Sequence, residues 1–364
     1  MGPEYIATQT PMQDPITSSL QTIYNEAPEI KLSHGDRLVV FSDLHVGNRR
    51  RGDDFLNNAQ LFMNVLEQYY LARGYTLILN GDIEELMRFS LDEIEARWSE
   101  LFALFGGFYD AKRLYKVVGN HDIALPLCKE YQFSEILIDG LKLRHKEDVL
   151  FLFHGHQASC FQTRFNVLVG LSLRYIARPL GIKNYSASRS SFRKYKTERQ
   201  VYSFSQADRI ASLIGHTHRP LFESLSKIDS LRFRIEQLCR QYTTARSREK
   251  RRLSEDIQRH KTELEEIYQR KGNLKSRRSI YNSKLLIPCL FNSGCCIGKR
   301  GITAMELQDG EIALVHWFDK NLSQKHFDLV DEAPQQLDGS DYYRVVLNQD
   351  SLDYIFTRIR LLAE

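Results

Sequence analysis

The sequence predicts an α/β protein with a largely parallel sheet covered on both faces, and three observations carry that expectation. Short apolar, β-branched runs recur through the first 218 residues, as buried strands do. Stretches with apolar residues at helical spacing fill the gaps, which gives βαβ units. Each run ends in Asp, Asn or His, and ligands of parallel sheets bind beyond the carboxyl ends of the strands.

The first run, Val39-Val40-Phe41, leads into Asp43-Leu44-His45. Residues two apart on a strand share a face, so this carboxylate and imidazole are expected to project together. Asp53 to Ala72 carries Phe55, Phe62, Val65, Leu66 and Tyr69 at helical spacing, the first crossover helix. Tyr75 to Leu79 then runs into Asn80-Gly81-Asp82. Leu86 to Phe105 reads as a second helix that Gly106-Gly107 breaks. Leu114 to Val118 ends in Gly119-Asn120-His121-Asp122, Val149 to Phe153 in His154-Gly155-His156, and Ala211 to Ile214 in Gly215-His216-Thr217-His218.

Asp43, His45, Asp82, Asn120, His154, His216 and His218 thus fall at successive strand ends. Mixed Asp, Asn and His donors suit borderline divalent ions, with Mn²⁺ first and Fe²⁺, Zn²⁺ or Co²⁺ as alternatives. The set exceeds what one ion needs, and a carboxylate can bridge two. Two ions ~3.5–4 Å apart activate a water and clamp both oxygens of a phosphoryl displacement.

The 364 residues carry a net charge of +4, with 42% hydrophobic and 26% charged residues, the composition of a globular chain. No run approaches the ~20 apolar residues of a membrane span. Residues 1–34 form an irregular polar lead-in, and the first thirty lack Lys and Arg, unlike a secretory signal. The six cysteines make no regular framework, although Cys295 and Cys296 are adjacent. A reduced, cytoplasmic location is expected.

Two stretches break the α/β rhythm. Residues 157–205 are helical in pattern and basic, with Arg164, Arg174, Arg178, Lys183, Arg189, Arg193, Lys194, Lys196 and Arg199 against Glu198. Phe161, Phe165, Leu168, Val169, Leu171, Leu173 and Ile176 add an apolar series. The stretch reads as a helical cap for an anionic, partly apolar ligand, or as a cap packed on the core with a solvated basic face. Within 225–280, Ile228, Leu231, Ile235, Leu238, Tyr242 and Ala245 form one narrow seam, and Leu253, Ile257, His260, Leu264 and Ile267 a second. The phase break near 246–252 suggests an antiparallel, coiled-coil-like hairpin. It holds 16 Lys and Arg against 8 Asp and Glu, a net +8 that leaves about −4 for the rest. Such an arm suits a homodimer contact, an anionic membrane surface or nucleic acid. Further on, 285–291, 302–307 and 311–318 read as strands completing a second sheet, with an Asp309-Gly310 hairpin. Leu352, Ile355, Phe356, Ile359 and Leu362 share a face of a terminal helix that docks on the body.

Asp43-x-His45, Gly81-Asp82, Gly119-Asn120-His121-Asp122, His154 and Gly215-His216-x-His218, in that order, resemble the motifs of the calcineurin-like metallophosphoesterase superfamily. The resemblance implies an αββα two-sheet sandwich over 35–224 and 281–330, with the cap at 157–205, the hairpin inserted at 225–280, and 331–364 docking a strand and helix. It implies two divalent metal ions, one held by Asp43, His45 and His218, the other by Asn120, His154 and His216, with Asp82 bridging and a metal-held hydroxide attacking phosphorus. His121 would protonate the leaving oxygen and Asp122 would orient it. His156, Arg164, Arg174, Arg178 and Arg219 would contact substrate.

The overall layout is similar to the UDP-2,3-diacylglucosamine diphosphatase family, through the basic cap, the continuation Gly215-His-Thr-His-Arg-Pro220 and the strands after Asn292-Ser293-Gly294. That implies a phosphorylated, lipid-linked diphosphate substrate met at the inner-membrane surface. The chain departs from that family at His121, where the family has Arg, at His156, where the family has Asp, and in the arm and tail. A generic phosphodiesterase or phosphomonoesterase, and a nuclease gripping its substrate with the arm, are the alternatives. An interaction scaffold on an inactive fold is the non-enzyme alternative, and it predicts lost ligands where all seven positions keep competent ones.

Overall fold

A computed structural model describes residues 15–159, 191–223, 231, 235, 238–239, 241–243, 245–272, 287–322 and 334–363. From residue 15 on, the lead-in is regular rather than irregular: helix α1 (Pro15–Glu26) buries Ile16 and Leu20, and strand β1 (Glu29–Lys31) follows. Then come β2 (Arg37–Phe41), α2 (Ala59–Val65) continued by a π-helical segment (Leu66–Leu71), and β3 (Thr76–Asn80). Helices α3 (Leu91–Arg97) and α4 (Ser99–Asp110) lead to β4 (Leu114–Val117), β5 (Leu137–Ile138), β6 (Gly140–His145) and β7 (Asp148–Phe153). Helix α5 (Ser191–Ala207) precedes β8 (Ala211–Ile214), and helix α6 (Ser247–Gly272) precedes β9 (Leu290–Asn292). Strands β10 (Ile302–Gln308), β11 (Glu311–Asp319), β12 (Gln335–Gln336) and β13 (Tyr342–Ser351) and helix α7 (Leu352–Leu362) close the described chain.

The strands form two sheets, as expected, and both are mixed. One runs β1-β6-β7-β8-β9, the other β12-β13-β11-β10-β2-β3-β4-β5. The parallel core β2-β3-β4 lies in the larger sheet and the parallel trio β7-β8-β9 in the smaller. The five strand-end motifs are therefore split between sheets. The three late strands do not build one sheet: β9 joins the smaller, while β10, antiparallel to β2, and β11, antiparallel to β10, extend the larger. The Asp309-Gly310 turn is as expected, with both residues at positive φ (53° and 80°), the geometry a two-residue hairpin needs.

Period-2 alternation explains the layering. On β2, Leu38 and Val40 face a core shared with β6, β7, β8 and α1, whereas Val39 and Phe41 face a second core with α2, α3 and α4. Helices thus cover the outer face of each sheet, and the order is αββα. The second helical stretch divides at Trp98, not at Gly106-Gly107. α4 runs through both glycines because Leu101, Phe102, Phe105 and Phe108 bury one face of the helix. Ser90 caps α3 by accepting the Glu93 amide at 3.3 Å. On α7, Leu352, Ile355, Phe356 and Ile359 are buried as expected, but Leu362 is exposed.

Of the first hairpin seam, Leu231 and Leu238 are buried and Tyr242 is exposed, while Ile228 lies outside the described residues. Leu253 of the second seam is buried. No helix among the described residues is long and apolar enough to cross a membrane.

Candidate metal centre

The strands stop short of the functional residues. β2 ends at Phe41, and both Asp43 (φ 55°) and His45 (φ 49°) are left-handed, so their common direction comes from two consecutive tight turns rather than from strand alternation. Asp82, His216 and His218 are left-handed too, at φ 54°, 62° and 53°. Non-glycine residues seldom adopt this conformation, which costs of order 1–3 kcal/mol each, and such strain gathers at functional sites. The turns are held by an extended ladder: Asp43, His45 and Val46 donate their amides to the carbonyls of Gly81, Asp82 and Ile83 at 3.0, 3.0 and 2.8 Å. Two motif glycines permit the close approach. A Cβ on Gly119 would overlap Asp82, and one on Gly215 would overlap Asp43 and Ser42.

Three overlapping groups of donors result. Asp43, His45, Asp82 and His218 form one, and Asp82, His154 and His216 another, with Asp82 common to both; His45, Glu85 and His121 form the third. His218 Nε2 lies 3.0 Å from Asp43 Oδ1, and His154 Nε2 lies 3.1 Å from Asp82 Oδ2. His45 Nε2 and His218 Nε2 face each other at 3.2 Å. Among the described residues, Asn120 Oδ1 and His216 Nε2 are buried without a hydrogen-bond partner. Lone pairs left buried in this way cost roughly 1–3 kcal/mol apiece. Converging imidazole nitrogens, unpartnered oxygens and two buried carboxylates fit a divalent cation centre and little else. The outer hydrogen bonds agree: His154 Nδ1 is 2.9 Å from the Asn80 carbonyl, which fixes the tautomer that turns Nε2 inward.

The electrostatics are those of groups that share protons. Burial opposes ionisation of Asp82, but the His154 and His121 charges outweigh it and hold the carboxyl well below its usual range. Burial likewise opposes charge on His154, yet Asp82 and Asp43 lift it to about 10. His216 is driven the other way, to about 3, by burial and by the His154 charge.

One expected role is reassigned. Asp122 does not orient His121; it is fully buried and accepts the backbone amides of Ile83 (2.8 Å) and Gly119, clamping two motif loops together. Glu85 takes the orienting role: its oxygens lie 2.8 Å from His121 Nδ1, and Oε2 also lies 3.0 Å from His45 Nδ1. Burial works against its charge, but the hydrogen bonds from His121 and His45 bring Glu85 to about 2. Opposing burial, the Asp82 charge and the Glu85 hydrogen bond raise His121 to about 9. The signal for Glu85 in the sequence is a carboxylate three residues after Asp82 that does not itself end a strand.

His156 is buried behind the centre with Nδ1 unpartnered, its ring 5.5 Å from His154 and 6.3 Å from His216. Burial and the His154 charge hold it well below the usual histidine range. Arg219 is paired with Glu198. Arg164, Arg174 and Arg178 lie outside the described residues. Cys295 and Cys296 are free thiols, and Cys296 donates its amide to Asp43 O at 3.2 Å.

Fold and donor set together define a metal-dependent phosphoester hydrolase of the two-sheet sandwich class. The family model of the calcineurin-like phosphoesterases matches residues 36–220, about half of the chain, and the protein belongs to that family. No curated protein matches the sequence. Among solved structures the chain is similar to a single mutant of Vps29 from Entamoeba histolytica, at 12% identity and TM-score 0.34, over 86% of this chain and 99% of that one. Vacuolar Protein Sorting 29 from Cryptosporidium parvum is 11% identical at TM-score 0.36, over 88% and 100%. A predicted phosphoesterase from Streptococcus pneumoniae is 13% identical at TM-score 0.30, over 79% and 91%.

Proposed function

We propose that the centre holds two divalent cations, Mn²⁺ first among them, and hydrolyses a phosphodiester or phosphoric anhydride. The observation that carries this reading is Asp82, whose carboxylate belongs to both donor groups. Asp43, His45 and His218 would hold one cation and Asn120, His154 and His216 the other, with Asp82 available to both. When bound, the cations neutralise the phosphoryl oxygens and acidify a water. The chain's own part is positional. Glu85 holds His121 Nδ1, which leaves Nε2, 4.0 Å from Asp82 Oδ2, to deliver a proton to the departing oxygen. Asp122 fixes the two loops that bear Asp82 and Asn120.

Turnover of Mn²⁺-loaded protein on bis-p-nitrophenyl phosphate, p-nitrophenyl phosphate, UDP-2,3-diacylglucosamine and single-stranded DNA tests it. Asp82→Ala is expected to abolish turnover, and His121→Ala to lower it about 10²–10⁴-fold on poor leaving groups. Preference for the lipid-linked diphosphate supports the layout-based reading. No turnover on any substrate, with two cations bound, rejects the hydrolase.

A further inference from the structure

The loop after β3 is anchored by a buried ion pair that the scheme above leaves unused. Glu84 and Lys116 are both fully buried. Lys116 Nζ, on β4, donates to the two carboxylate oxygens of Glu84 at 3.0 and 2.8 Å, and the Tyr131 hydroxyl donates to Oε1 at 2.8 Å. Tyr131 belongs to the core that the larger sheet shares with α2, α3 and α4. Burial and the Glu84 charge push its pKa well above the ordinary value, so the hydroxyl stays a donor. Apolar residues of similar volume often fill such a place with no loss of stability. What a fully hydrogen-bonded charged group adds is a fixed direction.

That direction matters because successive residues of the loop go to different anchors. Asp82 Oδ1 accepts the His121 amide at 2.7 Å, and Ile83 donates its amide to Asp122 at 2.8 Å. Glu84 then turns to Lys116 and Tyr131, and Glu85 to His121 and His45. The backbone at Glu84 bridges to Val46, and the Glu85 amide donates to Val46 O at 3.0 Å. Adjacent side chains of such an extended chain project to opposite sides, so a rotation at Glu84 carries Glu85 with it. We propose that Lys116 and Tyr131 are positioning residues: by fixing Glu84 in the core they set Glu85 against His121 Nδ1, and so aim Nε2 at the leaving oxygen. That oxygen departs with the electron pair of the broken phosphorus–oxygen bond and takes the proton from Nε2. The proton transfer rests on the hydrolase reading above, whereas the hold on Glu85 does not.

Two measurements on the full chain test the pair. The first is the ratio of turnover on bis-p-nitrophenyl phosphate to turnover on diphenyl phosphate with Mn²⁺ saturating, since the more basic phenolate needs the proton more. The second is the ¹⁵N-imidazole spectrum of the Zn²⁺-loaded protein, in which the His121 signal is identified by its absence in His121→Ala. Lys116→Met alone strands the Glu84 carboxylate, so the variant to use combines Lys116→Met, Glu84→Leu and Tyr131→Phe. It keeps the volume without the charge and is expected to melt no lower than the intact protein. In it the substrate ratio is expected to rise by about 10- to 100-fold, as for a catalytic group misplaced by up to about 1 Å, and the Nδ1–H signal of His121 to lose its hydrogen-bonded shift. Tyr131→Phe, which removes one of the three bonds, is expected to move both in the same direction by less, and it stands alone if the triple variant does not fold. An unmoved His121 signal overturns the positioning, whatever the ratio. A displaced signal with an unmoved ratio overturns the part in proton delivery, provided His121→Ala does raise the ratio. No rise in His121→Ala removes the proton donor from the hydrolase reading and leaves the hold on Glu85 standing.

Discussion

Two buried polar clusters, one within the larger sheet and one at the strand ends of both sheets, are finished in opposite ways. Around Glu306 every strong group is answered. Tyr70 donates its hydroxyl at 2.7 Å, Arg344 donates Nε at 3.0 Å and a second nitrogen to the other oxygen, and Trp317 Nε1 donates to the Tyr70 hydroxyl at 2.9 Å. Burial and the Glu306 charge push Tyr70 well above its ordinary pKa, so the ring stays a donor. At the metal centre, by contrast, Asn120 Oδ1 and His216 Nε2 are buried unanswered, and five residues of the centre sit in left-handed backbone. A closed network contributes a unique packing arrangement; an open one, maintained against strain and desolvation, is arranged for a cation the chain does not itself provide.

The contrast breaks most readily at Arg344. Arg344→Met strands the Glu306 carboxylate in the interior, and denaturant unfolding should show a loss of about 3–5 kcal/mol, with metal stoichiometry unchanged. Loss of bound metal in the same variant would show that the two clusters are one unit. A smaller effect is expected at Glu85, which touches both His45 and His121. Glu85→Gln keeps the shape and removes the charge, so metal affinity or turnover should fall about 10–100-fold with little change in melting temperature. If neither falls, Glu85 is packing alone.

The mildest lever is pH, and its sign differs between the metal-free and metal-loaded protein. His154 is raised from 6.5 to about 10. In the metal-free protein its contribution to stability is fully present below pH 6.5 and is lost as pH rises toward 10. A cation must displace that proton, so metal affinity should rise with pH over the same window, by about tenfold per unit for each proton displaced. Melting curves and metal titrations from pH 6 to 9 check both trends; parallel trends would remove His154 from the ligand set.

The residues of the centre were legible because their signal is local. An apolar run that ends in Asp, Asn or His needs no tertiary knowledge to be noticed, and six of the seven candidate positions fall within the donor groups. Asp309-Gly310 was legible for the same reason, since two residues fix the turn. Partners were harder. Asp122 adjoins His121 in sequence, yet the imidazole pairs with Glu85, 36 residues away, because the left-handed turn at Asp82 brings that loop beneath the ring. Glu198 read as a stray acid in a basic stretch, and its hydroxyl and guanidinium partners, Thr217 and Arg219, are 19 and 21 residues distant.

The sequence alone therefore determined the class of chemistry, the order of the donors and the alternation that sorts β2 between two cores, since each follows from residue type and short-range periodicity. Tertiary structure decided how the strands divide between two sheets, that α4 continues through Gly106 and Gly107, and which carboxylate serves which histidine. Those choices depend on contacts between segments far apart in the chain, where packing and backbone strain outweigh any local preference.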